Sequence, residues 1–260
     1  MTERPRLLIF SDLDGTLLDH QTYQWTAARD ALGALKEAGA GLVLASSKTA
    51  AEIAPLRAAI GFQNWPAIVE NGAGLLPAGA VCDALSERYD ALRTALANVP
   101  TDLRALFTGF GDLDAAGVAA VTGLSPKAAG LAKQRAFSEP GTWTGTVQEL
   151  DQFLNHLATQ GITAQRGGRF VTLSFGGNKA DRVADLTQRY SPRHTIALGD
   201  APNDIKMLET ADIGVVIANP HSAPLPPLKG EGAGKIIRTT EAGPSGWNAA
   251  ILSLIKQLTD

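Results

Sequence analysis

Leu7-Leu8-Ile9-Phe10-Ser11-Asp12-Leu13-Asp14-Gly15-Thr16 is an apolar run that stops abruptly on acidic and small residues. Four consecutive apolar side chains ending at Ser11 and Asp12 read as a parallel strand buried on both faces, delivering polar groups at its carboxyl end. Asp12 and Asp14 follow two residues apart, and Gly15 permits the tight turn that lets both carboxylates crowd one site. At an effective dielectric of about 20, like charges about 4 Å apart repel by about 4 kcal/mol, so either a pKa rises or a divalent cation balances the pair. Hard oxygen ligands, with no His or Cys in the stretch, suit Mg²⁺. A calcium loop is excluded by spacing: with Asp12 at the first position, the obligatory glycine falls on Leu17 and the closing glutamate on Tyr23. A purely structural Asp-Gly turn stays open from this stretch alone.

Outward from Phe10, strand and helix patterns alternate. Thr26 is placed to cap a helix over Ala27 to Ala38 that Gly39 stops; a strand over Gly41 to Ala45 leads into Ser46-Ser47-Lys48-Thr49 and a helix over Ala50 to Ile60. Ala67-Ile68-Val69 is a third strand, ending on Glu70-Asn71-Gly72-Ala73-Gly74. The same alternation returns with a helix over Lys179 to Tyr190, a strand over Thr195 to Leu198 closing on Gly199-Asp200, and a helix over Pro202 to Thr210. Strands over Gly214 to Ile217 and Lys235 to Arg238 and a last helix near Trp247 to Leu258 complete it. The pattern predicts an α/β fold, a doubly wound parallel-sheet (Rossmann-like) core whose strand carboxyl ends form the ligand site.

Residues between Asp83 and Phe175 break this rhythm, with helical stretches near Ala84 to Ala97, Ser125 to Arg135 and Thr146 to Gln160 before one strand over Arg169 to Ser174. They predict an inserted α+β cap domain, 83–175, in a catalytic core made of 1–82 and 176–260. Pro224-Leu225-Pro226-Pro227 and Gly230 to Gly234 read as a semi-rigid surface loop.

Composition narrows the function classes. With 260 residues, 45% hydrophobic and 19% charged, the chain has the make-up of an ordinary globular protein. A net charge of −3 gives no field for nucleic acid or anionic membrane, so an anionic ligand must be held by particular Lys and Arg residues. Cys82 is the single cysteine, read as a buried inert thiol, which excludes an internal disulfide and thiolate metal clusters. No stretch approaches the roughly 18 apolar residues of a membrane span, and the expectation is a soluble, cytoplasmic protein with no nucleic-acid or membrane partner.

Three further clusters join Asp12, two of them, like it, just past a strand and one at a helix start. Ser46 offers a hydroxyl, with the backbone amides of Ser47 and Lys48 beyond it, for phosphoryl oxygens. Lys179 follows Gly176-Gly177-Asn178 and could neutralise a transferring phosphoryl group, or stand as a solvated lysine in the first turn of its helix. Asp200-Ala201-Pro202-Asn203-Asp204 adds a second carboxylate one helical turn after the first, more than capping requires.

Together and in this order, these clusters resemble the signature of the haloacid dehalogenase superfamily across the whole alternating core. The resemblance implies that Asp12 forms an aspartyl phosphate while Asp14 protonates the leaving alkoxide and then activates water. It also implies that Ser46 and Lys179 bind the phosphoryl group. Asp200, Asp12 and the backbone carbonyl of Asp14 would bind Mg²⁺, with Asp204 and Asn203 completing or orienting that site.

Within the superfamily, substrate choice is expected in the cap. Arg166-Gly167-Gly168-Arg169-Phe170 could clamp a carboxylate or sugar hydroxyls, and Lys133, Arg135 and Glu139 form a second charged group. A hairpin turn with solvated arginines is the alternative for the first. These stretches, with Glu70-Asn71-Gly72, Asp200 to Asp204 and Ala242-Gly243-Pro244-Ser245-Gly246-Trp247-Asn248, resemble the mannosyl-3-phosphoglycerate phosphatase family nearly end to end. That implies a phosphorylated sugar-glycerate substrate for Ser47, Lys48, Asn71 and the cap residues, and a step in compatible-solute (mannosylglycerate) synthesis. Alternatives are a broader sugar-phosphate or glucosyl-3-phosphoglycerate phosphatase, and a non-catalytic phospho-ligand binding protein of the same fold.

Overall fold

The computed structural model describes residues 5–81 and 86–259. Cys82, the expected domain limits at residues 82 and 83, and the expected helix start at Ala84 lie outside the described residues. The chain opens with β1 (Leu7–Ser11), a 3-10 turn and α1 (Arg29–Glu37), then β2 (Gly41–Ala45), α2 (Ala50–Ala59), β3 (Ala67–Val69) and β4 (Gly74–Leu76). Next come α3 (Glu87–Ala97), α4 (Thr101–Arg104), β5 (Phe107–Gly109), α5 (Ala115–Thr122), α6 (Pro126–Ala132), β6 (Ser138–Trp143), α7 (Val147–Ala158), β7 (Thr163–Gly167) and β8 (Phe170–Ser174). The closing elements are α8 (Lys179–Tyr190), β9 (His194–Gly199), α9 (Ile205–Thr210), β10 (Ile213–Ala218), β11 (Ile236–Ala242) and α10 (Gly243–Thr259).

Two compact units result: Met1–Ser46, Arg57–Gly79 and Asn178–Asp260 form the first, Ser47–Leu56 and Ala80–Gly177 the second. The first holds a seven-stranded sheet in the order β11-β10-β9-β1-β2-β3-β4, parallel throughout except for β4, which pairs antiparallel with β3. β1 lies at its centre, between β2 and β9. Every β1 side chain is buried, as an all-apolar run in a parallel sheet requires. Leu8 and Phe10 share a core with Val183 and Leu186 of α8 and Met207 and Leu208 of α9. Ser11, of the opposite pleat parity, accepts a hydrogen bond from Trp247 of α10. Burying a Leu or Phe side chain contributes about 1.5–3 kcal/mol, so this strand is among the most firmly anchored segments of the chain.

Thr26 does not cap α1. The chain enters through a 3-10 turn, Thr26–Ala28, which places Thr26 inside the first turn instead of ahead of it. Asn248 of α10 supplies the cap from a distance, its Oδ1 accepting the amide of Ala31 at 2.9 Å. The Pro- and Gly-rich segment after β10 is anchored more firmly than a surface loop: Leu225 and Leu228 are buried, and Arg238 pairs with Glu231 at 2.6 Å.

The second unit is α+β, with a four-stranded antiparallel sheet in the order β5-β6-β8-β7. Leu92 and Leu96 of α3, Phe153 and Leu157 of α7, and Phe107 and Leu173 of the sheet form its core. Ser125 and Thr146 cap α6 and α7 through their side chains. No helix among the described residues is long and apolar enough to cross a membrane.

Candidate active site

Because β1, β2, β9 and β10 run parallel, the residues that leave their carboxyl ends share one edge of the sheet. β1 ends in a tight turn, in which Gly15 donates its amide to the Leu18 carbonyl (2.9 Å) and Leu18 returns one to Leu13 (2.8 Å). Gly15 adopts φ +81, and a Cβ there would stand 2.7 Å from Asn219 Nδ2 and 2.9 Å from Asp200 Oδ2. Only glycine lets the turn pass this close to Asp200.

Lys179 is 2% exposed and bridges two carboxylates, its Nζ lying 2.6 Å from Asp12 Oδ1 and 2.7 Å from Asp204 Oδ1. Asp204 Oδ2 accepts the backbone amides of Asp200 (3.2 Å) and Ala201 (3.1 Å), so both of its oxygens are spent on orientation. Asp200 accepts Thr16 Oγ1 at 2.6 Å and Asn219 Nδ2 at 2.7 Å. Asp12, Asp200 and Asp204 can each offer an oxygen within 4.8 Å of the others.

The charge balance of this cluster tests its fitness for a cation. Three carboxylates against one ammonium leave two negative charges uncompensated. Burial, then the neighbouring Asp204, push the Asp12 carboxyl well above its usual value, against the opposing pull of Lys179. Asp200 is raised by burial too, although its bonds from Thr16 and Asn219 resist. For Lys179 burial works against the charge, but Asp12 and Asp204 outweigh it and hold the ammonium above the ordinary lysine value. Buried oxygen donors with two unmatched charges suit a hard divalent ion.

Lys179 is the first residue of α8, behind the side-chain cap of Asn178 on Asp181. Gly72 sets the approach of that helix start. It adopts φ +93, and a Cβ there would fall on the Asn178 carbonyl. Gly72→Ala is therefore expected to lower stability by about 2–4 kcal/mol, read as an earlier urea midpoint with unchanged slope. An unshifted midpoint would contradict this close approach.

The remaining sequence-derived residues divide by unit. In the first, Ser46 is buried just past β2, donating its amide to Ile68 (3.0 Å) and accepting that of Asn71 (2.9 Å) at its carbonyl. Asn71 takes a left-handed backbone, and its Oδ1 accepts Asn203 Nδ2 at 3.2 Å, which commits an amide hydrogen of exposed Asn203 to a protein partner. Asp14 is half-buried within the Gly15 turn.

In the second unit, Ser47 is exposed, Lys48 half-buried, and the Ser47 carbonyl accepts the guanidinium of buried Arg135 at 3.3 Å. Arg135 also donates to Ser138 Oγ at 2.7 Å, so its fork is spent largely on protein. Lys133 donates to the Phe110 carbonyl at 3.2 Å. Glu139 is fully buried, accepting Tyr89 Oη (2.5 Å), the Gly111 amide (2.7 Å) and Arg93 (2.9 Å). Burial raises its pKa, against the pull of those donors. Arg166, Gly167, Gly168 and Arg169 are exposed on the β7–β8 hairpin, whose last pair is Gly167 with Phe170.

Neither Asn219 nor Thr16 stands out in the sequence by itself, yet both hold Asp200. Asn219 stands immediately after β10, and the rule that led to Asp12 and Asp200, a polar residue at a parallel strand's carboxyl end, applies equally to Ile217-Ala218-Asn219-Pro220.

The sequence pattern of the haloacid dehalogenase-like hydrolases matches residues 9–84 and 127–223, and the chain belongs to that family. It is a phosphoric monoester hydrolase. A curated relative from Methanococcoides burtonii, named glucosyl-3-phosphoglycerate/mannosyl-3-phosphoglycerate phosphatase, is 33% identical over 267 residues, covering 95% of this chain and 97% of that one. Two solved structures share the fold. Sucrose-phosphatase from Synechocystis, in complex with sucrose and phosphate, is 20% identical with a TM-score of 0.60, covering 98% of both chains. A phosphatase of the haloalkanoate superfamily from Bacteroides thetaiotaomicron is 19% identical with a TM-score of 0.66, covering 99% of this chain and 97% of that one.

Proposed function

We propose that this chain is a Mg²⁺-dependent phosphomonoesterase that works through an aspartyl phosphate on Asp12 and hydrolyses mannosyl-3-phosphoglycerate to mannosylglycerate and phosphate. The observation that carries the mechanism is the asymmetry of Asp12. Its Oδ1 is held by Lys179, whereas Oδ2 has no protein hydrogen bond among the described residues and is available as a nucleophile. Oδ2 attacks phosphorus as the bond to the leaving alkoxide breaks, and Asp14 gives that oxygen its proton. Water then attacks the phosphoryl group, Asp14 takes its proton, and phosphate departs with the Asp12 carboxylate restored. Lys179 stabilises charge on the equatorial oxygens, and Ser46 and the amides of Ser47 and Lys48 hold them.

Asp12, Asp200 and the Asp14 carbonyl would hold Mg²⁺, with Asp204 and Asn203 orienting that set. When bound, the ion supplies the positive charge that the cluster lacks and neutralises the phosphoryl oxygens. We assign substrate choice to the cap, residues 83–175, in a core of 1–82 and 176–260. Arg166 and Arg169 are the cap groups with guanidiniums at an exposed, glycine-bearing turn, suited to a glycerate carboxylate. Lys133, Arg135 and Glu139 would shape that surface through the partners they already hold, and Asn71 would contribute from the core.

The double name of the Methanococcoides burtonii relative favours a second reading, in which the glucosyl ester is accepted as well. Mannosyl and glucosyl esters differ in the configuration of one hydroxyl, and both present the glycerate carboxylate. Phosphate release across mannosyl-3-phosphoglycerate, glucosyl-3-phosphoglycerate, simple sugar phosphates and a generic aryl phosphate, with and without Mg²⁺, separates these readings. Expected are metal-dependent turnover of one or both glycerate esters with the highest kcat/KM, and an Arg166→Ala variant whose KM rises more for these than for the aryl ester. Preferred turnover of simple sugar phosphates would remove the glycerate assignment, and turnover indifferent to Mg²⁺ would remove the metal.

A further inference from the structure

Asp200 is gripped at both ends by neutral donors from two other loops. Thr16 Oγ1, after β1, donates to Oδ1, and Asn219 Nδ2, after β10, donates to Oδ2. The orientation of the Asn219 amide follows from its neighbours: its Oδ1 lies 2.9 Å from the backbone amide of His221, which can only donate, so the nitrogen must face Asp200. The same Nδ2 reaches Ser222 Oγ at 3.3 Å. The loop that carries Asn219 is tied to the segment after β1 by the stacked rings of His20 and His221, 4.7 Å apart and inclined by 14°. Asn219 is thus itself fixed, and the carboxylate plane of Asp200 cannot turn without breaking a bond at one end.

We propose that Asn219, with Thr16, is a specificity-determining residue that locks the carboxylate plane of Asp200 and thereby favours Mg²⁺ over Ca²⁺ at this centre. The inference rests on the reading of Asp12, Asp200 and the Asp14 carbonyl, with Asp204 orienting them, as a Mg²⁺ site. Mg²⁺ demands near-ideal octahedral geometry at about 2.0–2.1 Å, whereas Ca²⁺ takes about six to eight oxygens at about 2.3–2.6 Å and often both oxygens of one carboxylate. Accommodating the larger ion requires carboxylates that can turn to offer a second oxygen. Asp204 is pinned at both oxygens by Lys179 and by the amides of Asp200 and Ala201, so Asp200 is the second cluster carboxylate without that freedom. Freeing it costs the small ion its preformed ligand and gives the large ion an adaptable one.

Calorimetric titration of the substrate-free, full-length protein with Mg²⁺ and, separately, with Ca²⁺ reads the effect without turnover. The parent should prefer Mg²⁺, and Asn219→Ala should reduce the Mg²⁺-to-Ca²⁺ affinity ratio by about tenfold or more, mainly through weaker Mg²⁺ binding. Thr16→Val opens the other end of the clamp by a change of similar shape, should lower the same ratio, and carries the test by itself if Asn219→Ala does not fold. A ratio unchanged from the parent, whether both ions weaken alike or neither does, overturns the proposal while the metal site stands. Absence of Mg²⁺ binding in the parent, or binding unaffected by Asp200→Asn, overturns the metal reading and the selectivity with it.

Discussion

Asp12→Asn is expected to abolish phosphate release while leaving a folded protein that, free of metal, melts no lower than the parent. The substitution keeps the shape of the side chain and removes the anionic oxygen that would bond to phosphorus, so turnover should fall by on the order of 10⁴-fold or more. Rapid acid quench of a labelled phosphoester should trap protein-bound phosphate in the parent and none in the variant. The stability half of the prediction comes from the crowding of Asp12 with Asp200 and Asp204. Burial and Asp204 raise the Asp12 carboxyl above its usual value, which means that its ionised form opposes folding at neutral pH. A neutral side chain removes that cost, and Lys179 keeps Asp204 as partner at 2.7 Å. Retained turnover in the variant would sink the covalent mechanism. A strongly lowered melting temperature would show that the Lys179–Asp12 bond outweighs the repulsion.

The chemical half of the molecule was the more legible in sequence because its information is local. An all-apolar run that ends on Ser11 and Asp12 carries its own period and its own stop, and β2 and α8 fall on Gly41–Ala45 and Lys179–Tyr190 for the same reason. What stayed hidden depends on partners far along the chain. Asn248 caps α1 from 217 positions away, and Trp247 reaches Ser11 across 236. Asn219 acquires its role only once β10 lies beside β9, which carries Asp200 past its end.

The second unit hid its strands for a different reason. β6 reads Ser138-Glu139-Pro140-Gly141-Thr142-Trp143, and a Pro-Gly pair argues against a strand inside a sheet. The structure tolerates it because β5 ends at the pair Gly109–Gly141, so β6 has no β5 neighbour at Pro140 and forms an edge there. Glu139 looked like a ligand group for the complementary reason: Tyr89 and Arg93, which absorb its charge, lie 50 and 46 positions earlier on α3. A buried carboxylate with three donors is a structural element of that unit before it is anything else.

Lys179→Met should produce the largest combined loss of stability and activity of any single substitution in the core. The methionine fills much of the same volume but leaves Asp12, Asp200 and Asp204 buried together with no cation, and breaking a buried pair in this way costs about 3–5 kcal/mol. Because Asp12 and Asp204 hold the ammonium above the ordinary lysine value, its contribution is fully present through the neutral range and is lost only as the pH rises from the ordinary lysine value through the raised one. Turnover should fall about 10²–10³-fold as well, since charge on the transferring phosphoryl oxygens loses its fixed counter-charge. The two losses have different origins and can be separated. Adding Asp204→Asn to Lys179→Met removes one of the stranded carboxylates and should recover much of the denaturation midpoint, yet it restores no cation beside Asp12 and should leave turnover low. Mg²⁺ added to the single variant should raise its midpoint more than it raises that of the parent, because an ion that binds only the folded state stabilises it in proportion to the logarithm of its concentration over Kd. Recovery of activity along with stability in the double variant would mean that Lys179 serves the fold alone, and an unchanged midpoint in the single variant would mean that the three carboxylates do not repel one another as their spacing requires.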